Sequence, residues 1–515
     1  MERMTGFDAS LLYLETTQQP LVVGGILIID VSELEVEYSF ERLRTELGRR
    51  VKELPELRRK IYDSPLNLGH PAWVEEYELD ITAHVRRVEV DLPGDDHAMF
   101  EMCGTLGSRP LDRSRPLWEM WVLERLARPD TIAVYFRAHH AILDGANGAS
   151  ILHKLSTTGQ DPAARDLDLV RVQAGGANPI KLLAGGWWDF SVRRPLTLAR
   201  LLPEVAALPL ALRRGSTTTT KADGSATKKA DGSTADPAGR AGRAGPADAT
   251  SPGEESGVAV PKAAPFTAPR TRFNATITPH RAVWGTSLDL NEIIEIKDAI
   301  GVTVNDVYLA VVGGGLRRYL HSHDDLPDKP LIAVIPVSTR DDDSTTGNNR
   351  VTVLFASLGT EIADPLERLR AISARTRRGK KQTKRAMRPD LIQDVATLAP
   401  ARTLQLLMRI YGDFRLADLH PVVHNLVVSN IPGPSEELDF LGGRVTHMYP
   451  LGPLMHGSGL SITAMSVDGQ LDVGINACEH LVPDPDVLVT GIREAMARLL
   501  ELTRAASRAA AAEEG

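Results

Sequence analysis

The chain is poor in cysteine, with only Cys103 and Cys478 in 515 residues. Two thiols cannot build a disulfide framework, and neither stands in a metal-ligand spacing, so a reducing cytoplasm is the expected setting. No uninterrupted apolar run approaches the roughly 20 residues that span a bilayer, so any contact with lipid is expected from the surface. Residues 1–7 lack a basic segment followed by an apolar core, and no signal peptide is expected. Positive charge is not in excess either. The net charge of −8 argues against general nucleic-acid binding, although it leaves local patches open. A G-x-S-x-G nucleophile elbow, a Walker loop, a G-x-G-x-x-G fingerprint and a metal-ligand cluster are all missing. Gly313-Gly314-Gly315 is read as allowing close backbone packing, not phosphate binding.

What is present is a chain that is 43% hydrophobic and 24% charged, as soluble globular proteins are. Its length exceeds one ordinary core, which implies two domains plus extras. The most informative stretch is His139-His140-Ala141-Ile142-Leu143-Asp144-Gly145, an HHxxxDG sequence. It follows residues 131–138, in which Ile132, Val134, Phe136 and Ala138 recur at period two and predict a strand. That parity puts His140 on the apolar face, and His139 with Tyr135 and Arg137. An imidazole on a half-dry surface, with a carboxylate four residues on and a glycine to turn the chain, suits proton transfer. Asp144 would fix the local geometry or the histidine tautomer, and the other ring nitrogen would face a substrate. A core histidine pair capped by an aspartate accounts for the same residues.

The first half opens with a buried strand over residues 21–29. An amphipathic helix follows on Phe40, Leu43, Leu47, Val51 and Leu54, then strands over 117–123 and 131–138 and a short helix over 149–155. Residues 181–214 combine Trp187, Trp188 and many leucines with flanking arginines, which fits an interfacial anchor or an inter-domain helix. Residues 216–264 are low-complexity and nearly free of large apolar side chains, so a disordered linker is expected. The expected division is therefore 1–214, 215–265 and 266–515. In the second half, Thr303 is a plausible N-cap with Asp306 three residues on. Strands are expected over 331–337, 351–358 and 425–429, and Asp468-Gly469 predicts a hairpin between 461–467 and 470–475. Alternating helices and strands imply two α/β lobes around mixed sheets. The basic run between residues 368 and 388 fits a solvated helix face, a site for coenzyme A phosphates, or attraction to an anionic membrane.

Apart from the long insert, the chain resembles the bacterial wax ester synthase/diacylglycerol acyltransferase family, within the chloramphenicol acetyltransferase-like superfamily. The matching stretches occur in the family's order. They are Phe7-Asp8-Ala9, Leu14-Glu15, Pro20-Leu21-Val22-Val23-Gly24-Gly25, Pro116-Leu117-Trp118-Glu119 and HHxxxDG. Then come Thr303-Val304-Asn305-Asp306, Pro336-Val337-Ser338-Thr339-Arg340, Gly347-Asn348, Ser429-Asn430-Ile431-Pro432-Gly433-Pro434 and Gly459-Leu460-Ser461-Ile462. The resemblance implies two chloramphenicol acetyltransferase-like lobes and transfer of a fatty acyl group from acyl-CoA to diacylglycerol or a long-chain alcohol. No resident cofactor is implied. It assigns His140 as general base, Asp144 as a structural aspartate held through an arginine (Arg340 being the candidate), and His139 and Gly145 as supports. Asn305, Ser338, Ser429 and Asn430 are candidates for oxyanion or channel contacts, or simply caps and turns. The implied setting is cytoplasmic, at the surface of the inner membrane or of lipid droplets.

Two positions depart from the family pattern. Val467 stands where a tyrosine is expected and Cys478 where an aspartate is expected, which bears on lipid specificity and not on the acid–base pair. Two other functions remain compatible with the same motifs. One is an acyltransferase that takes its acyl group from a carrier protein, and the other is a non-catalytic protein that coats lipid.

Overall fold

A computed structural model describes residues 2–514 except 35, 65–68, 77, 144–150, 152–153, 156–264, 339–350, 387–400 and 435–436. The expected linker and the Trp187–Trp188 segment therefore lie outside the described residues. The first half lays down β1 (Glu2–Arg3), α1 (Gly6–Leu14), β2 (Val22–Asp30), α2 (Phe40–Val51), β3 (Arg59–Tyr62) and β4 (Ala72–Glu75). It continues with β5 (Val85–Glu89), α3 (Asp96–Gly107), β6 (Trp118–Glu124) and β7 (Thr131–His139). The second half contributes β8 (Arg281–Asp289), α4 (Leu290–Ile300), α5 (Val304–Ser322), β9 (Ile332–Ser338), β10 (Val351–Ser357), α6 (Pro365–Ala386) and α7 (Ala401–Asp413). It ends with β11 (Leu426–Ile431), β12 (Asp439–Phe440), β13 (Gly443–Leu451), β14 (Leu460–Val467), β15 (Gln470–Cys478) and α8 (Pro485–Glu514).

These strands form two mixed six-stranded sheets, ordered β12-β13-β2-β7-β6-β5 and β10-β9-β11-β14-β15-β8, beside a small sheet β1-β4-β3. Mixed sheets in an α/β chain are what the patterning implies. The first sheet, however, is not built from the first half alone: β12 and β13 come from the far side of the insert. Residues 443–451 carry no pattern that singles them out, because their partner, β2, lies more than 400 residues away in sequence. Both sheets belong to one compact unit, Met1–Pro195 with Ala263–Gly515.

β7 is buried on both faces. Ile132, Val134, Phe136 and Ala138 share a core with Phe40, Leu43, Leu47 and Val51 of α2. Ala133 and Tyr135 pack on the other side with Met99, Phe100, Cys103 and Leu106 of α3. Period two was the right signal, but the second face is dry as well. Arg137, which no solvent reaches, is matched on that face by three backbone acceptors and one carboxylate. Its Nη1 donates to Leu106 O at 2.6 Å, its Nη2 donates to Gly107 O and Arg109 O, and Glu119 Oε2 lies 3.5 Å away. A buried guanidinium of this kind is tolerated because nearly all its donors are met.

In the second half, Thr303 Oγ1 accepts from Asp306 N–H at 3.1 Å and Asp306 Oδ2 accepts from Thr303 N–H at 3.1 Å. This is the reciprocal cap expected from the sequence. Gly313, Gly314 and Gly315 sit where a Cβ would meet Leu358 O, Ala495 Cβ and Ile492 Cγ1 at 2.2, 2.7 and 2.6 Å, so they do permit close packing. Asp468 and Gly469 both have positive φ, +46° and +74°, and close the β14–β15 hairpin as a primed turn. Where its side chains are described, the basic run is divided: Arg368 is buried and Arg375 half-buried, whereas Arg370 and Arg377 are exposed. Arg375 donates to Ser357 Oγ and Glu361 Oε1, Arg377 to Gly301 O and Arg368 to Ile362 O.

The two sheets meet where β13 crosses β8 and β15. Gly474 faces Pro450 O, which a Cβ would approach to 2.1 Å, and Gly285 lies under the Tyr449 ring. Fully buried Asp472 accepts from Met448 N–H at 2.6 Å and Ser287 Oγ–H at 2.5 Å, with His447 Nδ1 at 3.2 Å. Replacing Gly474 with Ala should therefore destabilise the protein by about 1–3 kcal/mol through overpacking. In urea unfolding the midpoint should fall with an unchanged slope; an unchanged midpoint would mean that the strands can part without cost.

Candidate active site

The histidine turn hangs from the end of β7. Val22 of β2 stands opposite His139, and Gly24 approaches the chain so closely that a Cβ there would lie 2.3 Å from Phe136 O. The backbone is pinned from both sides, since His139 N–H donates to Leu117 O (2.9 Å) and His140 N–H to Leu21 O (3.0 Å). The Pro20–Gly25 and Pro116–Glu119 stretches thus flank the turn directly. The strand ends at His139, so the period-two parity stops one residue short of His140. The chain then bends back, with Ile142 N–H donating to His139 O at 2.9 Å.

His140 is half-buried, and its Nδ1 lies 2.8 Å from Leu143 O. A carbonyl oxygen can only accept, so Nδ1 carries the proton and Nε2 keeps its lone pair. That is the tautomer of a poised base. Asp144, expected to fix the local geometry or this tautomer, lies outside the described residues.

His139 has the opposite tautomer. Its Nδ1 accepts from Ala141 N–H at 3.0 Å, which leaves the proton on Nε2, 3.9 Å from Glu15 Oε2. Burial pushes the His139 pKa down to about 3, and the charges of Arg113 and His140 add to the shift. At neutral pH it is uncharged, so its approach to Glu15 is not an ion pair. Burial raises Glu15 to about 6 against the pull of Arg113, whose Nη2 lies 3.1 Å from Oε2. Glu15 and Arg113 form a layer behind the histidines that the motif reading left out of the site. The Leu14-Glu15 motif carried the signal for the first of them, but nothing near Arg113 marks it.

The other candidates are placed unevenly. Asp144, Gly145 and Arg340 lie outside the described residues. Ser338 ends β9, and its side chain is not described. Ser429 and Asn430 are half-buried on β11, in register with Thr463 and Ala464 of β14. The next residue, Ile431, packs with Met465 in the cluster that also holds Ile142 and Leu143, which brings this strand end toward the turn. Asn305 is the second residue of α5, half-buried, and no hydrogen bond links it to the turn among the described residues. Of the two departures, Val467 is a core residue and Cys478 ends β15 opposite Arg281. A cavity of about 20 Å³, roughly one water's space, lies beside β2 between Leu21–Gly24, Tyr135, Arg281, Leu451 and Asn476.

The double-histidine turn thus closes a strand of the first sheet, which draws strands from both halves of the chain. The whole-chain structural likenesses agree in fold. The wax ester synthase/diacylglycerol acyltransferase from Marinobacter aquaeolei VT8 superposes with a TM-score of 0.63 at 23% identity, covering 97% of this chain and 99% of that one. A trichothecene 15-O-acetyltransferase from Fusarium sporotrichioides gives 0.52 at 13%, covering 97% and 94%. Residues 4–308 match the model of the wax ester synthase/diacylglycerol acyltransferase catalytic domain, and residues 347–500 that of the family's C-terminal domain. The chain belongs to this family and is an acyltransferase. A Mycobacterium tuberculosis protein provisionally described as a diacylglycerol O-acyltransferase is 38% identical over 503 residues, 97% of this chain and 90% of the relative. Another from the same organism, described likewise, is 31% identical over 486 residues, 93% and 95% of the two chains.

The buried neutral histidines dictate a pH dependence. His139 is held down to about 3, and burial holds His424 and His456 near 4. A histidine whose folded pKa lies below its ordinary value favours folding above that value and loses this as pH falls, because the unfolded chain takes the proton first. Stability should drop below about pH 6.5, by about 1.4 kcal/mol per pH unit for each such histidine. Glu15, raised to about 6, opposes this, since it gains stability as pH falls through that value. Urea titrations at pH 7 and pH 5 should show the loss, and His139→Gln should reduce it. A stability that rises on acidification would mean that His139 is charged in the fold.

Proposed function

We propose that the protein moves a long-chain fatty acyl group from acyl-CoA to diacylglycerol to make triacylglycerol, and that it also accepts long-chain alcohols to make wax esters. The observation that carries this reading is the tautomer of His140. An alcohol is a poor nucleophile at neutral pH, and a half-buried imidazole with its lone pair on Nε2 meets the need for a base. As the hydroxyl oxygen attacks the thioester carbonyl, its proton passes to Nε2. The tetrahedral intermediate then expels the coenzyme A thiolate, which takes that proton back, so no covalent acyl-enzyme forms. His139, fixed neutral by burial, shapes the turn without competing for the proton.

Asp144 with Arg340 would hold the loop, Gly145 would let it turn, and Asn305, Ser338, Ser429 and Asn430 would offer hydrogen bonds to the oxyanion or line the channel. Acyl-CoA is a co-substrate in this scheme and no resident cofactor takes part. The acceptors are lipids, so the protein would work at the surface of the inner membrane or of lipid droplets. Among the described residues no single helix is long and apolar enough to cross a membrane.

Labelled palmitoyl-CoA, with diacylglycerol or hexadecanol offered separately, should yield neutral lipid with the wild type. His140→Ala should lose about 10²–10⁴-fold in kcat while remaining folded. Full activity in that variant would remove His140 from the mechanism. Failure of the wild type with both acceptors, together with transfer from an acyl carrier protein, would replace acyl-CoA as the donor.

A further inference from the structure

We propose that α7 and the turn after it form the surface through which the protein docks on a phospholipid layer that carries its acceptor. The described residues expose ten large hydrophobic side chains, and five of them fall between residues 406 and 419. Leu406, Leu407 and Phe414 are 59, 55 and 70% exposed, Leu419 is 77% exposed, and Ile410 is also open to solvent. The helical pattern runs on past Asp413, because Phe414 N–H donates to Ile410 O at 2.9 Å. At 3.6 residues per turn, Leu406, Leu407, Ile410 and Phe414 occupy an arc of about 100°. They form a stripe, not a scatter. Phe266, 58% exposed, is tied by its N–H to Val423 O, four residues beyond Leu419.

A helix that lies in an interface needs a dry face outward and a firm hold inward. The hold is present. Leu404 packs against the cluster that contains Ala141 and Ile142 of the histidine turn, so the stripe sits on the outer side of a helix whose inner side touches the catalytic turn. Gly412 lets the helix close on Gln18 and His456, where a Cβ would come to 2.7 and 3.0 Å. Arg270 ties the following turn to the core by donating to Ala417 O and His420 O.

The charge balance also points to lipid. Beside the stripe Arg272 pairs with Asp325 and Arg415 with Asp418, which leaves Arg270 and Arg409 against Asp413, a small positive excess in a chain of net charge −8. A locally basic rim around an apolar stripe complements a phospholipid surface. The choice of lipid over a protein partner rests on the acceptor being a lipid alcohol, which resides in such a layer.

The test uses the full chain and vesicles of phosphatidylcholine and phosphatidylglycerol that carry diacylglycerol. Wild type should float with the vesicles. The combined variant Leu406→Ser, Leu407→Ser, Phe414→Ser should bind more than about tenfold more weakly, since each side chain loses its apolar burial. Its melting temperature should stay within a few degrees, and its turnover of palmitoyl-CoA with soluble butanol should match the wild type while vesicle-borne diacylglycerol is used poorly. Equal flotation of variant and wild type would overturn the proposal. So would lipid-free sedimentation showing a wild-type dimer that the variant abolishes, which would assign the stripe to a second copy of the chain. Absence of turnover with either acceptor would sink the proposed reaction, whereas flotation would still decide the docking surface by itself.

Discussion

Everything at the site depends on β7 being dry on both sides. A strand packed between α2 and α3 cannot shift by one residue without driving Arg137 and His139 into the α2 core and Phe136 and Ala138 out of it. The register of β7 is therefore held by burial, and the turn at its end inherits that precision. Arg137 adds direction, because its guanidinium is bonded to the carbonyls at the end of α3, to Arg109 O just beyond it, and lies beside the Glu119 carboxylate. The two histidines sit one residue apart in very different environments. One is sealed in and kept neutral, while the other is half-open with its lone pair aimed away from the backbone that holds its proton.

Burial also explains why the neighbouring carboxylate is unusual. Glu15 shares its pocket with a neutral imidazole and a single nearby guanidinium, Arg113, so desolvation outweighs attraction. Among the described residues a main-chain carbonyl, Leu143 O, holds the Nδ1 proton of His140. A backbone carbonyl does not titrate.

Much of this was legible in the sequence, for identifiable reasons. Local patterns with short reach transferred well: the period-two run of β7, the Thr303–Asp306 cap, the Asp468-Gly469 turn and the three packed glycines each depend on residues close in sequence. The HHxxxDG stretch marked where β7 gives way to a turn for the same reason. The parity argument for His140 did not carry, because the strand ends at His139 and the turn supplies its own geometry. Leu143 O was invisible because a carbonyl has no residue signature. Arg113 and the pairing of β13 with β2 were invisible because both are long-range contacts with no sequence mark. The exposed stripe on α7 reads in sequence as an ordinary amphipathic helix, and only the structure tells which of its faces is covered.

The strand that β13 lends to the first sheet changes what the long insert can be. A ribosome that has finished β7 has made a sheet whose β2 edge is still bare, and it must add some 300 residues before the covering strand emerges. For that interval the nascent chain carries an open, apolar sheet edge, the kind of surface that invites mispairing. The distance along the chain from β7 to β13 thus sets the time for which the first sheet waits.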